Sequence, residues 1–204
     1  MLKSFWRSLV ENKRNIFLAT FTFILSVIIG YFFIDKENQL IKGSLEQLIG
    51  MIDEIKANDS IFYMIITIFK NNLMVALLMI ILGLFFGIIP IFILISNGLI
   101  IGYLMKLIVD GSGESIGFFL VGILPHGIFE IPAIIISAAF GMRLGFAIFR
   151  YIINLKSSGY NKLMLKHIIK QTPYVFLGIA IMLLAAAIIE STLTGFLLSK
   201  FYAF

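Results

Sequence analysis

The sequence predicts an all-helical, polytopic membrane bundle of about five spans, and three observations carry that prediction. Of 204 residues, 60% are hydrophobic and only 13% are charged, against about 25% charged in a soluble domain. Mean hydropathy is +1.05. The apolar residues also fall in long runs separated by short charged or proline-marked segments. A soluble fold of this length cannot hide that much apolar surface, so a soluble enzyme is excluded, and so is a disordered chain. There is no cysteine, which excludes disulfides, thiolate metal sites and Cys nucleophiles. The net charge of +5 gathers in two patches and suits an anionic lipid surface, not a nucleic acid.

Each element follows in order along one domain, 1–204. Residues 1–15 place Leu2, Phe5, Trp6, Leu9 and Val10 at helical spacing with Lys3, Arg7, Lys13 and Arg14 elsewhere. That pattern is an amphipathic arm on the cytoplasmic surface, with Trp6 at headgroup depth. Residues 16–34 are uniformly apolar and long enough to span. They are too long for a typical signal-peptide core, and no small-x-small cleavage site follows them. Residues 35–60 are rich in acid, and Ile41, Leu45, Leu48, Ile52 and Ile55 line one helix face. This is an outer surface helix, packed across the bundle mouth or open to a partner. Residues 61–70 are too short to span and are expected as an interfacial helix, cut off by Lys70, Asn71 and Asn72.

Residues 73–89 form the second span, and Pro90 marks its turn. Residues 92–109 form the third, and 110–115 (DGSGES) is a loop. The 34 residues 116–149 would be about 51 Å long as one helix, against a core of about 30 Å. A break at Pro125 and Gly127 is therefore expected, giving a re-entrant half-helix 116–124 and a fourth span 128–149. Residues 150–172 carry Arg150, Lys156, Lys162, Lys166 and Lys170 and no acid. They read as a basic cytoplasmic surface helix, and Pro173 opens the fifth span, 174–198. With basic segments inside and the acid-rich loop outside, the N-terminus is cytoplasmic and the C-terminus lies outside.

Three small-residue pairs recur at four-residue spacing: Gly83/Gly87, Gly98/Gly102 and Gly141/Gly145. Such pairs let helix backbones approach closely, within one chain or across a homodimer.

Ionisable and amide groups in apolar spans are costly, and by default they mark function. Asn71, Asn72, His126, Glu130 and Glu190 fall at similar depth in three spans. Arg143 sits about 20 Å inward of Glu130 and is expected to snorkel to headgroups. The group admits three readings: a hydrogen-bonded structural knot, a metal or water-activating site, or a proton relay. The spacing is no zinc signature, and no phosphate loop or nucleophile elbow is present. No cofactor is expected, although His126, Glu130 and Glu190 could between them hold a divalent metal.

Four segments in this order carry a resemblance: NNLMVALLMIILGLFFGIIP (71–90), SNGLIIGYL (96–104), LPHGIFEIPAIIISAAFGMRLG (124–145) and IIESTLT (188–194). Together they resemble the stage II sporulation protein M family over roughly residues 60–198. The family's PHG-x-x-E pattern falls on Pro125, His126, Gly127 and Glu130. The resemblance implies an all-helical protein of about five spans. It also implies kinship with sporulation scaffolds that work beside cell-wall hydrolases, and with members in bacteria and archaea that make no spores. The expectation is a multi-pass cell-membrane scaffold or accessory protein, whose partners are the bilayer and other membrane or envelope proteins. The alternative is an intramembrane enzyme or a peptide-handling or transport factor using His126, Glu130 and Glu190.

Overall fold

The structure is a computed structural model, and it describes residues 2–34, 39–58, 60–111, 116–153, 158–194 and 196. Among the described residues seven α-helices follow in order: α1 (Leu2–Glu11), α2 (Lys13–Phe33), α3 (Gln39–Asn58), α4 (Ile61–Leu82), α5 (Ile88–Lys106), α6 (Ile116–Ile153) and α7 (Ser158–Ile189). A π-helical turn continues α5 over Leu107–Gly111, and another continues α7 over Glu190–Thr194. No strand occurs among the described residues. Among the described residues five helices are long and apolar enough to cross a membrane: α2, α4, α5, α6 and α7.

α6 is the axis of the bundle. In the 18-residue apolar window within Gly127–Ile153, 72% of positions are buried, against 22–28% in the matching windows of the other four spans. One core cluster joins α4, α6 and α7 through Ala76, Ile136, Phe140, Leu144, Ile168, Ile179 and Leu183. A second joins α2, α4, α5 and α6 through Phe23, Met79, Leu94, Ile135 and Met142. A single apolar strip of α6 could not serve both clusters. Its run IIISAAFGMRLG presents bulk and small residues all round, as a helix surrounded by others must.

Backbone contact fixes the spacing. A Cβ on Gly102 would strike the Val27 carbonyl of α2, and one on Gly30 would strike Leu99 of α5. A Cβ on Gly141 would meet the Met79 carbonyl, and one on Gly145 would meet the backbone of Gly83 and Gly87. α2 therefore lies along α5, and α4 along α6, with nothing wider than backbone between them.

The connections differ from expectation at several places. Residues 61–70 are no separate interfacial helix: α4 runs unbroken through Lys70, Asn71 and Asn72 to Leu82. Lysine and asparagine lower helix propensity only slightly, and Asn71 Nδ2 donates to Asn72 Oδ1 at 3.3 Å. Ser60 caps the start, accepting from the Tyr63 amide. The second span therefore begins at the N-terminal end of α4 and stops short of 89. Its turn is Gly83–Gly87, not Pro90. Phe86 (φ 56°) and Gly87 (φ 74°) are left-handed there. The Phe86 ring meets Phe149 edge-on with centroids 5.5 Å apart, which holds the unfavourable residue in place. Pro90 is the third residue of α5, where its missing N–H needs no partner.

The expected break at Pro125 and Gly127 does not occur. α6 is one helix of 38 residues with Pro125 and Pro132 inside it. Each proline removes one backbone bond, a loss that helices packed among helices absorb. α7 likewise runs straight through Pro173, so the basic segment 150–172 and the fifth span are largely one helix. Residues 112–115 of the expected loop, Lys156, and 195 and 197–198 of the expected fifth span lie outside the described residues.

α1 also differs. Phe5 packs on Gly178 of α7, while Glu11 reaches His167 and Gln171 two to three turns earlier on the same helix. α1 therefore runs beside α7. Phe5 and Leu9 join the core, and Leu2, Trp6 and Val10 form the exposed stripe.

Candidate functional site

Two polar groups sit at opposite ends of the bundle. The first is the expected one, toward the α3 end. Asn71 and Asn72 lie midway along α4, not at a span's start. The Asn72 amide approaches the Glu130 carboxyl of α6, and Glu130 and Glu190 feel one another's charge. Both glutamates are half-buried. Glu190 opens the π turn at the end of α7, and that turn packs against α4 and α6. A π turn widens the backbone and recurs at functional positions. Within it the hydroxyls of Ser191 and Thr194 are buried with no partner among the described residues. Pro125 and Gly127 belong to α6, and Gly127 is buried. The backbone of His126 belongs to α6 as well, but its side chain lies outside the described set. Among the described residues no three metal-ligating side chains gather. Chemically this end offers a carboxylate pair from two helices beside an amide.

The second group lies at the α1 end and centres on Glu11. Its Oε2 accepts from Gln171 Nε2 at 2.7 Å, and Arg143 Nη2 stands 3.4 Å away. His167 Nε2 is 2.8 Å from the same oxygen. Oε1 accepts from Arg7 Nε at 3.0 Å. Arg143 Nη1 also donates to Gln171 Oε1 at 2.9 Å. Burial by itself disfavours the Glu11 charge. The hydrogen bonds from His167, Gln171 and Arg7, with the His167 charge, outweigh it and hold the carboxyl at about 2 instead of 4.5. Arg143 is thus engaged by protein groups, with its side chain only 14% exposed, and does not reach freely for headgroups.

Sequence reasoning missed Glu11, His167 and Gln171. One signal was present: His167 and Gln171 are four apart on one helix face. A lone acid in a basic arm was the other. Their pairing across 156 and 160 residues is tertiary, and no local pattern reports it.

This architecture defines the class: a helical bundle with five membrane-length helices around a central buried one. A family model described as stage II sporulation protein M matches residues 19–195, and the chain belongs to that family. It is similar to the uncharacterized protein MJ0706 of Methanocaldococcus jannaschii, at 31% identity over 95% of this chain and 87% of the relative. It is also similar to the uncharacterized protein MJ0793 of the same organism, at 32% identity over 89% of this chain and 94% of the relative. No solved structure matches the chain.

Proposed function

We propose that this chain is a non-enzymatic scaffold or accessory protein of the cell membrane, which assembles with membrane or envelope partners through α3. One observation carries the reading. α3 is amphipathic and sits at the end of the bundle, yet Ile49 (55% exposed) and Ile52 (39% exposed) are not covered by it. Exposed Glu46, Asp53 and Glu54 rim these residues. An apolar strip with a charged border, outside the spans, is the form of a partner surface. In this reading the N-terminus is cytoplasmic, so α3 lies outside. Homodimerisation through the same strip is a variant of it.

The tightness of the bundle supports the reading. The glycine contacts bring α4 and α6 to backbone distance, which suits a rigid structural bundle. A second reading keeps the Glu130 and Glu190 pair as a catalytic or proton-handling site, since two carboxylates from separate helices converge there. Quantitative co-purification from the native host separates the two. Ile49→Ser/Ile52→Ser should lose a stoichiometric partner while remaining folded, and Glu130→Gln should retain it. Unchanged partner yield in the α3 variant would remove α3 as the surface. Glu130→Gln folded and assembled but inactive would favour the second reading.

A further inference from the structure

The Glu11 group has a feature that packing alone does not need. Arg143 and His167 each stand within 3.4 Å of one carboxylate oxygen, and the Gln171 amide donates to that same atom. Gln171 is 8% exposed. Two of the three groups are held in place by a further bond, Arg143 to Gln171 at 2.9 Å. A forked guanidinium beside an amide and an imidazole is a receptor for a tetrahedral or planar oxyanion. The occupant is the last residue of α1, a helix of ten residues. Apart from this carboxylate, α1 is held by the Phe5 ring on Gly178, by Leu9 and by Ser8, which is buried.

The surroundings favour anions. Lys162, Lys166 and Lys170 of α7 are exposed, as are Lys13 and Arg14 at the start of α2. Glu11 is the acid among them. Leu2, Trp6 and Val10 give α1 an exposed apolar stripe, at 78%, 68% and 53%. A helix of that kind has somewhere to go when it leaves α7, namely the lipid interface.

We propose that Arg143, His167 and Gln171 form an anion seat that Glu11 fills, and that the phosphate of an anionic lipid displaces Glu11 and releases α1 from α7. A lipid phosphodiester presents two anionic oxygens and one charge, as a carboxylate does, and it also recruits the neighbouring lysines, so it competes where its surface density is high. The inference stands apart from the scaffold reading and survives its failure.

The cysteine-free chain allows a direct test. Phe5→Cys/Gly178→Cys should form a disulfide when Glu11 and Leu9 seat α1, since a side chain on Gly178 would meet the Phe5 ring. The full chain is reconstituted in phosphatidylcholine vesicles, in vesicles with increasing phosphatidylglycerol, and in phosphatidylcholine with inorganic phosphate. Crosslinking should be high in the first and fall several-fold in the second. A fall in the third would identify free phosphate as the ligand source. Glu11→Gln should already crosslink poorly in phosphatidylcholine, with unchanged helical circular dichroism. Should that variant not fold, the lipid series of the parent pair decides. Equal yield in all three vesicle conditions would overturn the proposal. So would a folded Glu11→Gln protein that crosslinks like its parent.

Discussion

At the scale of single residues, Glu11 couples the first helix to the last. Its carboxyl is held at about 2, below the ordinary 4.5. A depressed pKa means that the interaction contributes fully above about pH 4.5 and is lost as pH falls toward 2. Arg7, Arg143 and His167 are the charged or titratable groups that face it. Trp6 is the only tryptophan and lies on α1, so its emission reports this contact. The emission should hold steady from neutral pH to about 4.5 and change between there and about 2. A transition centred at 4.5 would show that the carboxyl is not engaged. Glu11→Gln should also lower unfolding stability by about 1–3 kcal/mol, because it leaves Arg143 poorly paired in a half-buried position. Thermal unfolding in one detergent measures this. Legibility was uneven at this scale. Glu130, Glu190 and Asn72 stood out because a polar residue in an apolar run is visible by itself. Glu11, His167 and Gln171 sit among other polar residues, so only the fold makes them special.

At the scale of elements, close backbone contact is the organising feature. Gly102→Ala and Gly145→Ala each place a methyl against backbone, which cannot rotate away. Each should cost about 1–3 kcal/mol. Gly50→Ala in α3 meets nothing within 4 Å, and should be neutral or stabilise by up to about 1 kcal/mol. Equal effects at Gly145 and Gly50 would contradict the packing described. The helices themselves were readable from apolar runs, but their ends were not. Pro125 reads as a break and Pro173 as a helix start in sequence, and both lie inside helices in the fold. Proline excludes helix strongly only where no neighbour compensates, and a bundle supplies neighbours. Lys70, Asn71 and Asn72 misled for a simpler reason. A polar triplet interrupts an apolar run without interrupting a helix.

At the scale of the whole molecule, the basic arm and the basic start of α7 meet at one end, through Glu11, while α3 caps the other. That agreement between charge and fold supports a cytoplasmic N-terminus. Single cysteines test it without background. Ser44→Cys in α3 should react with an impermeant maleimide on intact cells, and Ser158→Cys at the start of α7 should react only after permeabilisation. The reverse pattern would invert the topology and move the proposed partner surface to the cytoplasm. The five-span bundle was legible in composition and periodicity, because hydropathy reports bilayer depth directly. The proposed partner surface was only half legible. The apolar face of residues 35–60 was evident, but whether the bundle covers it depends on where the spans stand.

Photocrosslinking in the native host shows whether α3 meets a partner. A photoreactive amino acid is placed at Ile52 on α3, and as a control at Leu25 on the lipid-facing side of α2. One discrete protein adduct is expected from Ile52, either a membrane or envelope protein or a second copy of this chain, and none from Leu25. Lipid adducts alone at both positions would contradict it.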